Sequence, residues 1–533
     1  MTKTSIPYRD TGYFSSLIND YLDQKEELKS FYHRFPKLES FKDQIKEKSA
    51  AFSTAHRKVL ADALITQYEH LDDKERCLTQ IESLRQENTF TVTTGHQLNL
   101  FTGPLYFLYK IISAINLAKQ LQEEYTDYHF VPIYWMASED HDFEEINFFN
   151  FEGKKVQWNR QASGPVGELN TQGLEEVYEQ FCAQLGSSPM AQELCTLFEQ
   201  GYLKHDNLTA ATRTIAHQLF KEYGLVIVDG NDRSLKEVFV PLVKKELEEQ
   251  IAHREVTDTT KRLTDLGYSE QVHPREINLF YIKKGLRERI LKKDDAFYVN
   301  ETELRFTQDE LWQELEQYPE RFSPNALLRP LYQEVILPNL CYIGGGGELA
   351  YWFQLKDYFG AVEVPFPILL LRNSALLRTA KQKQKADRLD VSLKQLFLKR
   401  NDLINQKIRV ISNIDINFAP QKEHLIQQFE ALYALAEKTD ASFLGAVKAQ
   451  EVKQLKGLDH LEHRLLKAQK RKLSDQVERL AALQEDLFPR QSLQERTTNF
   501  ADFYKEYGST LITQLRQSLD PLELQFTVIT FDH

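Results

Sequence analysis

The chain of 533 residues contains few cysteines, and their spacing excludes the common redox and haem motifs. Cys77, Cys182, Cys195 and Cys341 form neither a CxxC nor a CxxCH pair. The first residues lack the charged and then apolar pattern of a secretory leader. We therefore expect four reduced thiols in a cytoplasmic protein.

Long apolar runs and an excess of positive charge are also missing. No run approaches the roughly 18 apolar residues that a membrane-spanning helix needs. The formal net charge is −12, which argues against broad nucleic-acid binding because phosphate attracts clustered cations. We expect neither a nucleic acid nor a membrane as partner.

What is present is enough apolar material for more than one domain, with 42% hydrophobic and 11% aromatic residues. Residues 1–375 are predicted to form an α/β core that starts with polar helices and carries inserted lobes at about 150–220 and 255–325. Residues 376–490 are predicted to form an antiparallel coiled coil, and residues 491–533 a segment that returns to the core.

Two polar clusters follow neighbouring apolar, β-prone runs. Residues 89–94 lead into Gly95-His96-Gln97, and residues 129–135 lead into residues 138–142. Residues 105–121 between them show helical periodicity, so the order predicts a βαβ unit with a parallel pair of strands. Ligands of open α/β sheets bind beyond the carboxyl ends of the strands, where both clusters fall.

The second cluster is acidic, with five carboxylates and one imidazole within residues 139–145. Burying such a run without partners is costly, so it indicates either a site or a solvated helix N-terminus. The apolar strand before it favours a site. No second cluster of histidine or cysteine has ligand spacing, so we expect no permanent metal.

A glycine run, Gly344 to Gly347, precedes a predicted helix over residues 348–358. Glycines before a helix N-terminus can cradle an anion, although a flexible turn is an equal alternative. The loop is not a Walker A motif, because no Gly-Lys-Ser/Thr follows. Apolar runs at residues 225–229 and 364–371 predict further buried strands, the second ending at Arg372.

From residue 376 to 490 no strand is predicted, and leucines recur at steps of three and four. A break at residues 413–420 divides this stretch into two long helices folded back on each other. An exposed leucine stripe would need a cover, so we predict a homodimer through the coiled coil. Residues 522–530 are predicted to be a last strand.

Several of these motifs occur together in one family. Thr94 to Gln97, Thr102 to Pro104, Ser138 to Asp142 and Gly344 to Trp352 resemble the BshC family of cysteine-adding enzymes of bacillithiol biosynthesis. The family's Gly-Gly-Pro-Gly-Glu form has proline where Gly346 stands, which implies a more mobile loop here.

The resemblance implies a Rossmann-like core with connecting lobes and a dimerising coiled coil. It implies ligation of cysteine to the amine of glucosaminyl-malate, the last step to bacillithiol. Gly95-His96 also resembles the Gly-His end of the nucleotide-binding signature of class I aminoacyl-tRNA synthetases, and ATP with transient Mg²⁺ is a possible source of activation. The route would pass through cysteinyl-adenylate or cysteinyl-phosphate.

On that route the candidate residues fall into three groups. His96 is expected to stabilise charge on the transferred phosphate, and a carboxylate to accept the amine proton, so the catalytic candidates are His96, Asp140 and Asp142. The substrate-binding candidates are Gln97, Asn99, Trp135, Glu139, His141, Glu348 and Tyr351. The nucleotide-binding candidates are Gly95, Lys110, Arg329, Gly344, Gly345, Gly346, Gly347 and Arg372.

Other interpretations of the same residues remain open. His96 could only cap a turn, Lys110 could be a solvated helix residue, and Arg372 could join the sheet to the coiled coil. A noncatalytic nucleotide-binding scaffold with a coiled-coil partner site is an alternative function. A nucleotidyltransferase-like enzyme with another acyl substrate is a second one.

Overall fold

The computed structural model describes residues 1–294 and 296–532. It contains two compact units. The core unit consists of residues 2–376 and 494–529, and the coiled-coil unit of Met1, residues 377–493 and the residues from Thr530 onward. Each unit is described separately below.

Four sheets account for the strands. In chain order the strands are β1 (Thr2–Ile6), β2 (Thr89–His96), β3 (His129–Met136), β4 (Phe148–Phe151), β5 (Lys154–Gln157), β6 (Val226–Asp229), β7 (Leu279–Lys283), β8 (Leu286–Lys293), β9 (Ala296–Val299), β10 (Arg305–Thr307), β11 (Phe322–Pro324), β12 (Asn339–Gly344), β13 (Ile368–Leu371), β14 (Ala375–Thr379) and β15 (Phe526–Phe531). The principal sheet is parallel, with the order β13-β12-β2-β3-β6.

Helices surround this sheet and form most of the coiled-coil unit. In the core unit the helices up to β13 are α1 (Tyr8–Thr11), α2 (Ser16–Leu22), α3 (Ser40–Ala51), α4 (Thr54–Gln67), α5 (Glu75–Ser83), α6 (Tyr106–Glu124), α7 (Phe143–Ile146), α8 (Leu174–Leu185), α9 (Pro189–Phe198), α10 (Leu208–Phe220), α11 (Arg233–Glu249), α12 (Ile251–Asp265), α13 (Gln308–Gln317), α14 (Leu328–Ile336), α15 (Gly346–Phe353) and α16 (Lys356–Ala361). The remaining helices are α17 (Ala380–Arg388), α18 (Leu393–Leu396), α19 (Arg400–Ile411), α20 (Ala419–Ala436), α21 (Ala441–Lys472), α22 (Ser474–Leu487), α23 (Ala501–Tyr507) and α24 (Thr510–Ser518).

The predicted βαβ unit is formed by β2, α6 and β3, and the Rossmann-like parallel sheet is confirmed. All eight residues of β2 are buried, as expected for a central parallel strand covered on both faces. Apolar side chains of α3 and α6, for example Phe41 and Leu117, pack on this strand and its neighbours, including Ile343 of β12. This packing fixes the register that aligns the carboxyl ends of β2, β3 and β12.

Two insertions interrupt the parallel sheet. Between β3 and β6 lie the β4-β5 hairpin and helices α8 to α10, and between β6 and β12 lies the antiparallel sheet β10-β9-β8-β7-β11. Cys182 on α8 and Cys195 on α9 form a disulfide, so the expectation of four reduced thiols is wrong for this pair. Spacing along the chain could not show that two packed helices bring these sulfurs together. Cys77 and Cys341 are free and buried.

The coiled-coil unit is built on α20 and α21, which are joined by a short turn and pack against each other. The predicted break at residues 413–420 lies between the end of α19 and the start of α20. The unit has six helices rather than two, because polar caps such as the Asp440 side chain start new helices. The prediction that residues 376–490 contain no strand is also wrong, since β14 runs to Thr379.

The chain's last strand, β15, pairs with β1 and β14 in a three-stranded sheet. Its six residues are all buried. It starts four residues later than the sequence predicts, because Leu524 adopts a left-handed backbone conformation. In the described part of the chain, no helix is long and apolar enough to cross a membrane.

Candidate active site

A cavity of about 460 Å³ lies in the core unit where β2, β3 and β12 end. The structure brings most of the predicted residues to it. Those that line it are Gly95, His96, Gln97, Lys110, Trp135, Glu139, Asp140, Arg329, Gly345, Gly347, Glu348, Tyr351 and Arg372. The strand register explains the grouping, because Gly95 pairs with Trp135 across the β2–β3 ladder and Thr94 pairs with Ile343 on β12.

One wall of the cavity is an ion pair between the buried Lys110 on α6 and the partly exposed Glu348 on α15. Lys110 Nζ lies 2.5 Å from Glu348 Oε2 and donates to the Gly95 carbonyl at 2.6 Å. Its side chain is only 4% exposed, so Lys110 is not a solvated helix residue. Burial lowers the pKa of Lys110. Burial alone would raise the pKa of Glu348, but Lys110 and the hydrogen bonds to the carboxylate hold it below its usual range.

Glu348 also closes the glycine loop. Its carboxylate accepts the Gly345 backbone N–H at 2.8 Å and the Tyr342 hydroxyl at 2.9 Å. The N-terminus of α15 is therefore occupied by a carboxylate of this chain, and an incoming anion would have to displace it. Gly344 and Gly346 do not line the cavity, which corrects their prediction as nucleotide-binding residues. A Cβ at Gly346 would instead meet Ile18.

His96 ends β2 and is 6% exposed. Burial and the nearby Lys110 charge lower the pKa of His96 to about 3, so the ring is neutral. The Glu348 charge and the Thr102 backbone act in the opposite direction but do not offset the burial. Nε2 is buried without a hydrogen-bond partner among the described residues.

The turn that follows His96 supplies the Thr102 backbone that acts on the ring. The turn that holds it is strained, with φ of 46° at Phe101 and 67° at Thr102. Asn499 stabilises the turn by donating from Nδ2 to the carbonyls of Phe101 and Gly103. Strain of this kind persists only where surrounding contacts impose it.

Asp140 is held as a carboxylate. Gln97 Nε2 donates to its Oδ2 at 2.8 Å, and the His141 backbone N–H donates to its Oδ1 at 2.8 Å. Burial alone would raise the pKa of Asp140, but these hydrogen bonds and the charge of Arg287 hold it well below its usual range. Asp140 is consequently a stable negative charge and a weak proton acceptor.

Three predicted site residues outside the glycine loop do not line the cavity. Asp142 is exposed and caps α7 by accepting the Glu145 backbone N–H, so its catalytic assignment is not supported. His141 is exposed on the rim, where its Nδ1 accepts a hydrogen bond from Arg287 at 2.8 Å. Asn99 is buried and packs under Gly103. Alternation along the chain could not separate these neighbours of Asp140, because residues 137–142 form a loop.

Glu139 and Trp135 complete the wall under β3. Glu139 forms an ion pair with Lys236 on α11, and both side chains are largely buried. Trp135 packs edge-on against Tyr332, and a Cβ on Gly230 would collide with its ring. Glu139 thus carries its own counter-ion, whereas Asp140 accepts hydrogen bonds from neutral donors.

The sequence analysis missed several residues that line the cavity. They are Tyr106, Met136, Ala137, Ser138, Arg287, Pro324, Asn325, Ala326, Tyr342 and Arg496. Tyr342 could have been found, since it lies on the strand that leads into the glycine loop. Arg287 on β8 and Arg496 in the segment after the coiled coil have no local signal, because their positions depend on the tertiary fold.

The cavity lining carries five cationic side chains and three carboxylates. Lys110 is paired with Glu348, and Arg372 donates from Nη2 to the buried Glu495 at 2.7 Å. That contact lies within the core unit, so it gives no support to Arg372 as a link to the coiled coil. In the described residues Arg287, Arg329 and Arg496 form no ion pair, although Arg287 donates to His141 and Arg329 donates to the Tyr351 hydroxyl. The site therefore has spare positive charge for an anionic ligand.

Among residues 1–294 and 296–532, no group of three histidine, cysteine, aspartate or glutamate side chains could hold a metal ion. The three carboxylates of the cavity are each engaged by protein donors.

Two family matches cover nearly the whole chain. Residues 1–373 match the family described as Bacillithiol biosynthesis BshC, N-terminal Rossmann-like domain, and residues 375–531 match its C-terminal coiled-coil domain. The chain belongs to the BshC family. A relative from Christiangramia forsetii is 58% identical over 100% of this chain and 99% of its own length. A second, from Flavobacterium johnsoniae, is 56% identical over 99% of this chain and 100% of its own length.

A more distant BshC relative, from Cytophaga hutchinsonii, is 37% identical over 99% of this chain and 98% of its own length. These matches confirm the family resemblance seen in Thr94 to Gln97 and Gly344 to Trp352. They cover the insertions and the coiled coil as well as the parallel sheet, so the BshC architecture applies to the full chain.

Proposed function

We propose that this BshC chain is a cytoplasmic ligase that joins the carboxyl group of cysteine to the amine of glucosaminyl-malate, giving bacillithiol. Its family and its relatives, whose name describes a cysteine ligase, support the reaction class. One observation carries the substrate assignment: a single cavity combines a stable carboxylate, Asp140, with arginines that have no ion pair. An acceptor that bears an amine beside two carboxylates matches that combination.

The geometry favours a division of labour between Asp140 and His96. Asp140 binds the ammonium form of the acceptor, because its depressed pKa keeps it charged and makes proton uptake unfavourable. The bound ammonium first loses one proton to solvent, and the neutral His96 ring, which lines the cavity, accepts the second proton as the amine attacks. An oxyanion bound nearby would raise the low pKa of His96 toward the useful range.

Amide formation from a free carboxylate requires activation, and we propose ATP as the cosubstrate. Arg329 and the unpartnered Nε of Arg372 are the donors available to its phosphates, since Lys110 and the Gly345 N–H are engaged by Glu348.

A ligation assay tests the function directly. Purified protein is incubated with cysteine, glucosaminyl-malate and ATP, and the product is identified by mass. We expect the ligated thiol only when all three are present. Serine replaces cysteine in a parallel reaction, and equal product from both would favour an enzyme with another acyl substrate. Nucleotide binding without any product would favour the scaffold alternative.

A further inference from the structure

We propose that Arg496, in the segment that follows the coiled coil, binds an oxyanion of a substrate in the active-site cavity. The inference rests on the proposed function for the identity of the substrates. Arg496 lines the cavity, is exposed, and makes no hydrogen bond or ion pair in the part of the chain that the structure describes. An arginine fork is suited to a carboxylate or a phosphate, which it can bind through two parallel hydrogen bonds.

The segment around Arg496 is anchored on both sides. The preceding residue, Glu495, is fully buried and accepts Arg372 Nη2 at 2.7 Å and the Ala375 N–H at 3.0 Å. Three residues after Arg496, Asn499 donates hydrogen bonds to the strained turn that follows His96. A surface arginine on a loose terminus would lose much entropy on binding, whereas this backbone is already ordered.

A buried donor in the same cavity points to an anionic ligand. Arg372 lines the cavity, and its Nε is buried without a hydrogen-bond partner among the described residues. This nitrogen lies 3.7 Å from the position that a Cβ on Gly345 would take, on the glycine-loop side. The Arg496 charge acts on Tyr106, whose ring also lies under Arg372. Arg496 and Arg372 therefore contribute positive charge to the same side of the cavity, next to Tyr106.

A buried donor without a partner is costly, so such a group commonly has a partner in the working state. An oxyanion near Tyr106 would contact Arg496 and satisfy the Arg372 donor without displacing Glu348 from the glycine loop. Two substrates can supply it: a carboxylate of the malate group or a phosphate of ATP. The experiment separates these sources.

The test compares Arg496→Gln and Arg496→Lys with the control Arg490→Gln, an exposed arginine six residues earlier that does not line the cavity. Steady-state rates are measured while cysteine, glucosaminyl-malate and ATP are varied one at a time. We expect Arg496→Gln to raise one KM by about 10- to 100-fold, the loss typical of a charge-assisted bond. Arg496→Lys should raise that KM less than Arg496→Gln does, and the control Arg490→Gln should have the wild-type KM values.

The substrate whose KM rises identifies the oxyanion. If it is glucosaminyl-malate, methyl glucosaminide, which lacks the carboxylates, should react equally with wild type and Arg496→Gln. If it is ATP, the penalty should persist with that acceptor. Unchanged KM values for all substrates in a folded Arg496→Gln protein would overturn the proposal.

Binding measurements keep this inference distinct from the proposed function. Calorimetry with L-malate and, separately, with ATP needs no turnover. Weaker binding of either probe by Arg496→Gln than by Arg490→Gln supports the oxyanion site even where wild type forms no thiol product. Equal binding of both probes by the two variants contradicts it.

Discussion

At the scale of single residues, His96 illustrates how burial selects a protonation state. Burial and the Lys110 charge lower its pKa to about 3, so a neutral ring lines the cavity. We predict that His96→Asn lowers kcat by about 10²- to 10³-fold, within the range of a lost general base. Steady-state rates and thermal melts of the same samples measure this. A large drop in melting temperature with near-normal kcat would instead make His96 a turn residue.

The low pKa of His96 also predicts a pH effect on stability. The folded pKa is about 3, below the usual value of 6.5, so unfolding takes up a proton between these pH values. This part of the stability is present above pH 6.5 and is lost as the pH falls. At pH 4.5 the loss is about 2–3 kcal/mol.

Denaturant unfolding of wild type and His96→Asn at pH 7.5 and 4.5 isolates the contribution of His96, because the two proteins share all other titrating groups. The difference between their free energies of unfolding should be smaller at pH 4.5 than at pH 7.5. An equal difference at both pH values would show that His96 does not titrate as described.

Asp140 and Asp142 form a matched pair for testing the ammonium site. Asp140→Asn should raise the KM for glucosaminyl-malate by about 10- to 100-fold, because a neutral amide attracts an ammonium weakly. Asp142→Asn should behave as wild type, since asparagine also caps a helix. If the Asp140→Asn defect lay in kcat and shrank as pH rose, Asp140 would be the proton acceptor that the sequence analysis expected.

At the scale of elements, the glycine loop shows how a side chain of the same helix can cap the helix N-terminus, as Glu348 does for α15. Gly346 is the first residue of α15, a position where proline is favoured. We predict that Gly346→Pro raises the unfolding free energy by about 0.4–1 kcal/mol by restricting the unfolded chain. Urea unfolding measures it.

The contrasting variant is Gly344→Ala, whose Cβ would lie 3.0–3.2 Å from Tyr342, Glu348 and Leu349 and should destabilise the fold. The risk for Gly346→Pro is its approach to Ile18, which lies 3.3 Å from the position that a Cβ on residue 346 would take. A net loss of stability would show that this contact outweighs the entropic gain.

At the scale of the whole molecule, the coiled-coil unit exposes apolar side chains that a monomer leaves in water. Those on α20 and α21 are Ile426, Leu432, Leu435, Phe443, Leu444, Val452 and Leu461, each at least 40% exposed. We predict a homodimer through this unit, in which such side chains are covered. Light scattering at micromolar concentration should give twice the chain mass.

Replacing Leu435 and Leu461 together by lysine should yield a monomer, while Lys456→Gln, on the same helix as Leu461, should leave the dimer intact. A wild-type chain that is monomeric at that concentration would contradict the prediction. The ligase activity of the double lysine variant should be measured as well. The described cavity lies within the core unit of one chain, so a monomer retains it.

Local patterns in the sequence determined the parallel sheet and much of its ligand edge. Short apolar runs specify β2, β3 and β6, and helical periodicity specifies α6, so the clusters at Gly95 to Gln97 and Glu139 to Asp140 could be placed at strand ends. The BshC motifs, from Thr94 to Trp352, identified the family. These features were accessible because each depends on residues close together in the chain.

Only the tertiary structure decided which side chains meet and in what state. The Cys182–Cys195 disulfide, the Glu348 cap on its own helix and the neutral state of His96 each depend on contacts whose geometry no local pattern reports. Arg287 and Arg496 reach the cavity from an inserted lobe and from the far side of the coiled coil in sequence. Periodicity records burial along one element, whereas a charge network is set by distances between elements that only packing fixes.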